Sequence, residues 1–224
     1  MNVGPRQRTL HLEDRRSPRP GRPDGATDDI HFTDDLVAHF IEAHSRRGDV
    51  VLDPFAGFGT TVFVAERMGR RGIAIETLAA RAEAIRLLAP TAIVVHGDAR
   101  HIGGLVDRGV HLVVTSPPYM TSILHPHNPL TGYETLDGDY ACYLDELADV
   151  FAGVARLLTA DGRVVVNVAD VRIGDHVTPL VADVGAAAGR SLDLVEDVTL
   201  RWDEDSRFFA SEHCLVFEPI RDSA

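Results

Sequence analysis

Two stretches of the 224-residue chain carry residue types whose spacing could do chemistry. The first is Val51-Leu52-Asp53-Pro54-Phe55-Ala56-Gly57-Phe58-Gly59-Thr60-Thr61, which reads as a strand, a tight glycine turn and a helix start. Gly57 and Gly59 let the backbone approach a ligand with no Cβ in the way. The free N–H groups at the start of the next helix favour a carboxylate or phosphate. Glu76 follows Gly57 by 19 residues, at the predicted end of a second strand, where an acid can hold both hydroxyls of a ribose. Asp98, in His96-Gly97-Asp98-Ala99 after a third strand, is placed to accept from an adenine amino group. Acids at three successive strand ends predict an adenosine-containing cofactor. A dinucleotide would require the third glycine of GxGxxG, where this chain has Val62.

The second stretch is Val113-Val114-Thr115-Ser116-Pro117-Pro118-Tyr119, closing a fourth predicted strand. Ligands of open α/β sheets bind at such strand ends. Taken together, Asp53–Thr61 and Ser116–Tyr119 resemble motifs I and IV of the DNA amino-methyltransferases, which make N4-methylcytosine or N6-methyladenine. His31-Phe32 and the helix after them are similar to the segment that precedes motif I in that family. The resemblance spans roughly residues 30–219. It implies S-adenosylmethionine as cofactor, held by Phe32, Asp53, Phe55, Gly57, Gly59, Thr60, Thr61, Glu76, Asp98, Ala99 and Ser116. It implies Ser116, Pro117, Pro118 and Tyr119 as the catalytic group and DNA as the favoured partner.

The implied chemistry suits these residue types. The lone pair of a base amino group is delocalised into its ring. Acceptors at Ser116 Oγ and the Pro117 carbonyl can bond both N–H protons and turn the lone pair outward, and paired prolines keep that geometry rigid. Tyr119 offers a ring to stack a base taken out of a duplex. Transfer is then direct, and proximity supplies most of the acceleration. Methylation at cytosine C5 needs a thiol, usually after proline, and neither Cys142 nor Cys214 follows one. Within the family, Ser at the first position of motif IV leans toward cytosine N4 over adenine N6. Here the motif follows Gly59 by 57 residues, a permuted order for a Ser-Pro-Pro-Tyr member. No insertion is large enough for a conventional target-recognition domain. This opens the alternatives of an RNA or nucleoside-like acceptor, a separate recognition subunit or homodimer, or an inactive cofactor-binding subunit.

The elements that must position these residues alternate. Thr33 before Asp34-Asp35 predicts a capped helix start, with Leu36, Val37, Phe40 and Ile41 as its apolar stripe. Strands are predicted at 50–52, 72–75, 92–95, 112–115, 163–168, 192–200 and 212–218. Helices are predicted at 60–68, 78–88, 101–107, 140–158 and 176–188. Apolar strands separated by helices imply a Rossmann-like α/β fold with a seven-stranded, mostly parallel sheet, its last two strands pairing antiparallel at one edge. The connection from 120 to 138 has no period and contains His125-Pro126-His127, which reads as a loop meeting substrate. No metal is expected, since no further Cys/His cluster supports those two histidines. Asp170 reads equally as a strand cap or a pocket residue, and Trp202 as core.

Composition limits the partners. The net charge of −12 argues against a protein that coats phosphates generally. All 22 basic residues are arginine, and six of them fall in residues 1–25 against three acids. Residues 1–28, rich in proline and glycine, read as a basic flexible tail, with one methyltransferase domain over 29–224. Two cysteines are too few for a disulfide framework, and no apolar run is long enough for a membrane span. A cytoplasmic location is the corresponding expectation, while the family resemblance implies a place in restriction–modification.

Overall fold

The computed structural model describes residues 4–12, 33–107, 109–118, 140–173, 175–202 and 209–221. The elements run β1 (Arg6–Leu12), α1 (Asp34–His44), β2 (Val50–Asp53), α2 (Thr60–Arg67), β3 (Arg71–Glu76), α3 (Ala79–Leu88) and β4 (Ile93–His96). A 3₁₀ turn (Ala99–His101), α4 (Ile102–Leu105), β5 (Val110–Thr115), α5 (Tyr140–Leu157), β6 (Leu158–Ile173), β7 (His176–Thr178), α6 (Leu180–Ala188), β8 (Leu192–Trp202) and β9 (Phe209–Pro219) complete them. They form one sheet in the order β1-β8-β9-β6-β5-β2-β3-β4, with β7 on β6.

The seven expected strands are present and two are added. Pairing is parallel from β6 through β5, β2 and β3 to β4, whereas β9 runs antiparallel to both β6 and β8. Parallel register aligns the C-terminal ends of β2, β3, β4, β5 and β6 along one edge of the sheet. That edge is where strand-end chemistry must collect.

The faces follow from side-chain alternation. Leu36, Val37, Phe40 and Ile41 of α1 pack with Val51, Leu112, Val114 and Val165 on one face. Thr33 caps α1 by accepting from Leu36 N at 3.3 Å, as its position before two acids predicts. On the other face, α5 buries Tyr143, Leu147, Val150, Phe151 and Val154, one stripe at helical spacing, with α4 and α6 beside it. Each fully buried large side chain contributes ~1.5–3 kcal/mol relative to exposure, so this stripe fixes α5 firmly against β5 and β6.

Two sequence expectations need correction. Arg6–Leu12, expected within the flexible tail, is an edge strand running parallel to β8, with Leu10 opposite Leu200 and Leu12 opposite Trp202. The reason is alternation: Leu10 and Leu12 turn to the apolar face that β8 and β9 leave open, while Thr9 and His11 stay exposed. Residues 13–28 of that expectation lie outside the described residues. The helix expected over 176–188 begins only at Leu180, because His176–Thr178 first turns back to pair with β6. Among the described residues, no helix is long and apolar enough to cross a membrane.

Candidate active site

The glycine turn after β2 is shaped by its own backbone. Gly57 and Gly59 have φ of 54° and 78°, a region that favours glycine. A Cβ on Gly59 would meet Ile85 of α3 at 3.0 Å. The close helix–strand contact that a third motif glycine would provide is made instead by Gly72 of β3, where a Cβ would come within 2.9 Å of Val62. Thr60 and Thr61 open α2 and are buried, and Thr61 Oγ1 donates to the Val114 carbonyl at 3.0 Å. The first turn of α2 is thereby tied to β5.

Three acids sit where the sequence predicts, at successive strand ends. Glu76 ends β3; its Oε2 accepts from Gly57 N at 2.9 Å and its Oε1 from Leu78 N at 2.8 Å. The carboxylate thus holds the glycine turn in place, with Thr77 Oγ1 a further, longer donor to Oε1 at 3.4 Å. Asp98 caps the 3₁₀ turn by accepting from Arg100 N at 2.9 Å, and the Arg100 side chain grips it through Nε and, at 2.6 Å, Nη2. Burial pushes the Asp98 carboxyl up, but these hydrogen bonds outweigh it and hold the group below its ordinary range. Ala99, next to it, is buried.

Asp53 behaves differently. It ends β2 at 1% exposure and accepts from Thr115 Oγ1 at 2.7 Å and from Phe55 N at 3.1 Å. Burial raises its pKa to about 6 against the pull of those bonds. The Asp53–Thr115 bond joins the two motifs directly, since Thr115 is the residue before Ser116. Ser116 is half-buried, Pro117 buried and Pro118 half-buried, at the C-terminal end of β5.

The structure therefore brings Asp53, Phe55, Gly57, Gly59, Thr60, Thr61, Glu76, Asp98, Ala99, Ser116, Pro117 and Pro118 to one sheet edge. Phe32 and Tyr119, and the loop with His125 and His127, lie outside the described residues. Sequence spacing does not single out Arg100, Tyr143 or Glu146, nor does it give Asp53 as the partner of the Thr115 hydroxyl, because these contacts depend on neighbouring side chains or on residues distant in sequence. Asp170 is a structural cap, accepting from Val181 N at 2.9 Å and Ser211 Oγ at 2.8 Å. Trp202 packs on the apolar face, as expected, and donates from Nε1 to Glu212 at 2.6 Å.

Comparison with known proteins adds to this geometry. A family model described as DNA methylase, of the N6/N4 type, matches residues 15–87. A 41-residue stretch, 18% of this chain, is 51% identical to the Type II methyltransferase M2.DpnII of Streptococcus pneumoniae and spans 15% of that protein. Both findings support the DNA amino-methyltransferase family. Among solved structures, a TehB-like SAM-dependent methyltransferase from Corynebacterium glutamicum is similar at TM-score 0.56 and 19% identity, over 87% of this chain and 91% of that one. Geranyl diphosphate C-methyltransferase from Streptomyces coelicolor, solved with S-adenosyl-L-homocysteine, is similar at TM-score 0.55 and 15% identity, over 83% and 79%. At such identities these likenesses establish the fold, that of the SAM-dependent methyltransferases.

Proposed function

We propose that this chain transfers a methyl group from S-adenosylmethionine to the exocyclic amino group of a nucleobase, with DNA the favoured acceptor and cytosine N4 favoured over adenine N6. One observation carries this reading. The Asp53–Thr115 hydrogen bond at 2.7 Å links the end of the glycine-turn strand to the residue before Ser116-Pro117-Pro118. A cofactor grip and an amino-group acceptor motif thus share one edge of the sheet.

The residues present suit the cofactor. The Glu76 carboxylate, at the end of β3, suits a ribose diol, Asp98 and the Ala99 backbone suit an adenine edge, and the positive-φ turn at Gly57 and Gly59 with the start of α2 suits the methionine carboxylate. When bound, S-adenosylmethionine supplies an electrophilic methyl on a sulfonium. The chain's own groups do the rest: Ser116 Oγ and the Pro117 carbonyl accept from the two amino N–H groups and turn the nitrogen lone pair toward that methyl. By the family resemblance, Tyr119 would supply the ring for the base and Phe32 a contact to the cofactor. Residues 29–224 act as one methyltransferase domain, with β1 added to its sheet.

A second reading, transfer to RNA or a nucleoside, is favoured by the net charge of −12, which is poorly suited to coating duplex phosphates. One experiment separates the two. The protein is incubated with methyl-labelled S-adenosylmethionine and duplex DNA, single-stranded DNA, RNA or nucleosides, and modified nucleosides are identified by mass spectrometry. Label as N4-methylcytosine in DNA is expected; label in RNA alone removes the DNA reading. Ser116→Ala is expected to reduce transfer by ~100-fold or more, the scale of losing one preorganised hydrogen-bonding group, while binding of the analogue sinefungin changes little. Loss of both would mean that Ser116 belongs to the cofactor grip.

A further inference from the structure

One face of α5 makes two polar contacts with the site that the roles above leave unassigned. Tyr143, fully buried, donates its hydroxyl to the Pro118 carbonyl at 3.1 Å. One turn later, Glu146 accepts from Arg100 Nη1 at 2.7 Å, and Arg100 in turn grips Asp98. Residues three apart share a helix face, so a single helix touches both the end of β5 and the turn after β4. Further back along this face, Tyr140 stacks on Tyr143 with ring centroids 5.9 Å apart and donates to Asp183 of α6 at 2.7 Å.

We propose that Tyr143 is a positioning residue for methyl transfer, its hydroxyl holding the Ser116-Pro117-Pro118 turn in the orientation that presents the acceptor amino group, while Glu146 on the same face orients, through Arg100, the acid assigned to adenine. The proposal rests on the reading of the site given above. Its physical basis lies in what two prolines lack. Neither Pro117 nor Pro118 has an N–H, so beyond Ser116 the turn has only carbonyls by which the protein can hold it. Proline fixes φ and leaves ψ as the soft torsion, and a hydrogen bond to the Pro118 carbonyl restrains the ψ of Pro118. The hydroxyl that does this stands on an 18-residue helix anchored by Leu147, Val150, Phe151 and Val154. It is therefore a rigid reference, set by the core rather than by the loop. Without the hydroxyl, phenylalanine would fill the same buried site.

The test uses the full chain, tritiated S-adenosylmethionine and the DNA acceptors above. Tyr143→Phe is compared with Tyr140→Phe, the same lesion in the same helix but directed at α6, and with Arg100→Gln. Tyr143→Phe is expected to lower kcat ~10- to 100-fold, the scale of misplacing a reacting group, with the Kd for sinefungin within about twofold of wild type. Tyr140→Phe lowers Tm without a comparable fall in kcat, and Arg100→Gln raises KM for the cofactor. A kcat for Tyr143→Phe within twofold of wild type overturns the proposal, as does a fall in kcat matched by Tyr140→Phe or accompanied by an equal loss of sinefungin affinity. Wild-type protein that methylates none of the acceptors removes the reading of the site and this proposal with it. Wild-type turnover that Tyr143→Phe leaves undiminished removes the proposal alone.

Discussion

The two halves of the sheet position their functional groups in different ways. Within β2 to β4 the shaping contacts are short in sequence: Asp53 with Phe55 N, Glu76 with Leu78 N and Asp98 with Arg100 each span two residues, and Glu76 with Gly57 spans 19. The longer reaches, Thr61 to Val114, Asp53 to Thr115 and Arg100 to Glu146, are the ones that join this half to β5 and α5. From β5 to β9 the corresponding contacts reach further. Tyr143 meets Pro118 across 25 residues, Asp170 meets Ser211 across 41, and Asn167 meets Glu212 across 45. The proposed cofactor grip lies in loops that carry their own constraints. The proposed target side is set by how helices and strands pack, so its geometry depends on the whole fold. Substitutions can separate the two, because a lesion in the first half should act on binding and a lesion in the second on turnover or stability.

The largest separation is expected at Glu76. Glu76→Ala removes the acceptor of both Gly57 N and Leu78 N, together with the proposed ribose contact. Hydrogen bonds to charged groups contribute ~1.5–3 kcal/mol each, so the loss of sinefungin affinity should be ~100-fold or more by calorimetry. Glu76→Gln keeps one acceptor and should fall between the two. If Glu76→Ala binds sinefungin within threefold of wild type, the grip does not lie on the local contacts of this half.

Asp53 lies on the join between the halves, and its signature is in pH. Its carboxyl titrates near 3.8 when exposed and is pushed to about 6 by burial. Below both values the group is protonated in the folded and unfolded states alike. Between them the folded state keeps a proton that the unfolded chain has released, so stability falls as pH rises through this window. A shift of this size corresponds to ~3 kcal/mol. Asp53→Asn keeps an acceptor for Thr115 Oγ1 and abolishes the titration, so it should flatten the decline in urea midpoint from pH 4 to about 6. Identical pH profiles for the two proteins would show that burial of this carboxyl is not what sets the slope.

The same contrast explains what could be read from the chain in advance. The glycine turn, Glu76 and Asp98 announce themselves because their constraints act within a strand–turn–helix unit, and a positive-φ glycine has few other uses. Ser116-Pro117-Pro118 is legible for the same reason. Tyr143 looks in sequence like one more apolar position of a helical stripe, and only the fold shows a carbonyl opposite its hydroxyl. Arg100 follows Asp98 closely enough to be noticed, but its second partner, Glu146, depends on how α5 docks. Leu10 and Leu12 alternate as a strand should, yet the surrounding arginines and prolines mask the pattern, and its partner β8 begins some 180 residues later. α6 starts at Leu180, later than its apolar period suggests, because His176–Thr178 pairs with β6 instead of extending the helix.

Trp202 offers the smallest effect, and it tests the target half without touching the catalytic motif. Its indole N–H donates to Glu212 at 2.6 Å, and Asn167 Nδ2 donates to the same carboxylate at 3.0 Å. Burial pushes the Glu212 carboxyl up, and these two donors pull it back. Trp202→Phe keeps a ring on the apolar face and removes one donor, leaving a buried carboxylate less well paired. The cost should be ~1–2 kcal/mol, the range for an unmet buried hydrogen bond, and should appear in the urea midpoint. Because the weakened partner is an acid, that cost should grow as pH rises above the Glu212 pKa and shrink where the carboxyl is protonated. Sinefungin affinity should stay within about twofold of wild type, since none of the Trp202 contacts reaches the glycine turn. A variant with wild-type stability but weakened cofactor binding would reverse the assignment, placing β8 and β9 in the cofactor grip rather than in the frame that supports the target side.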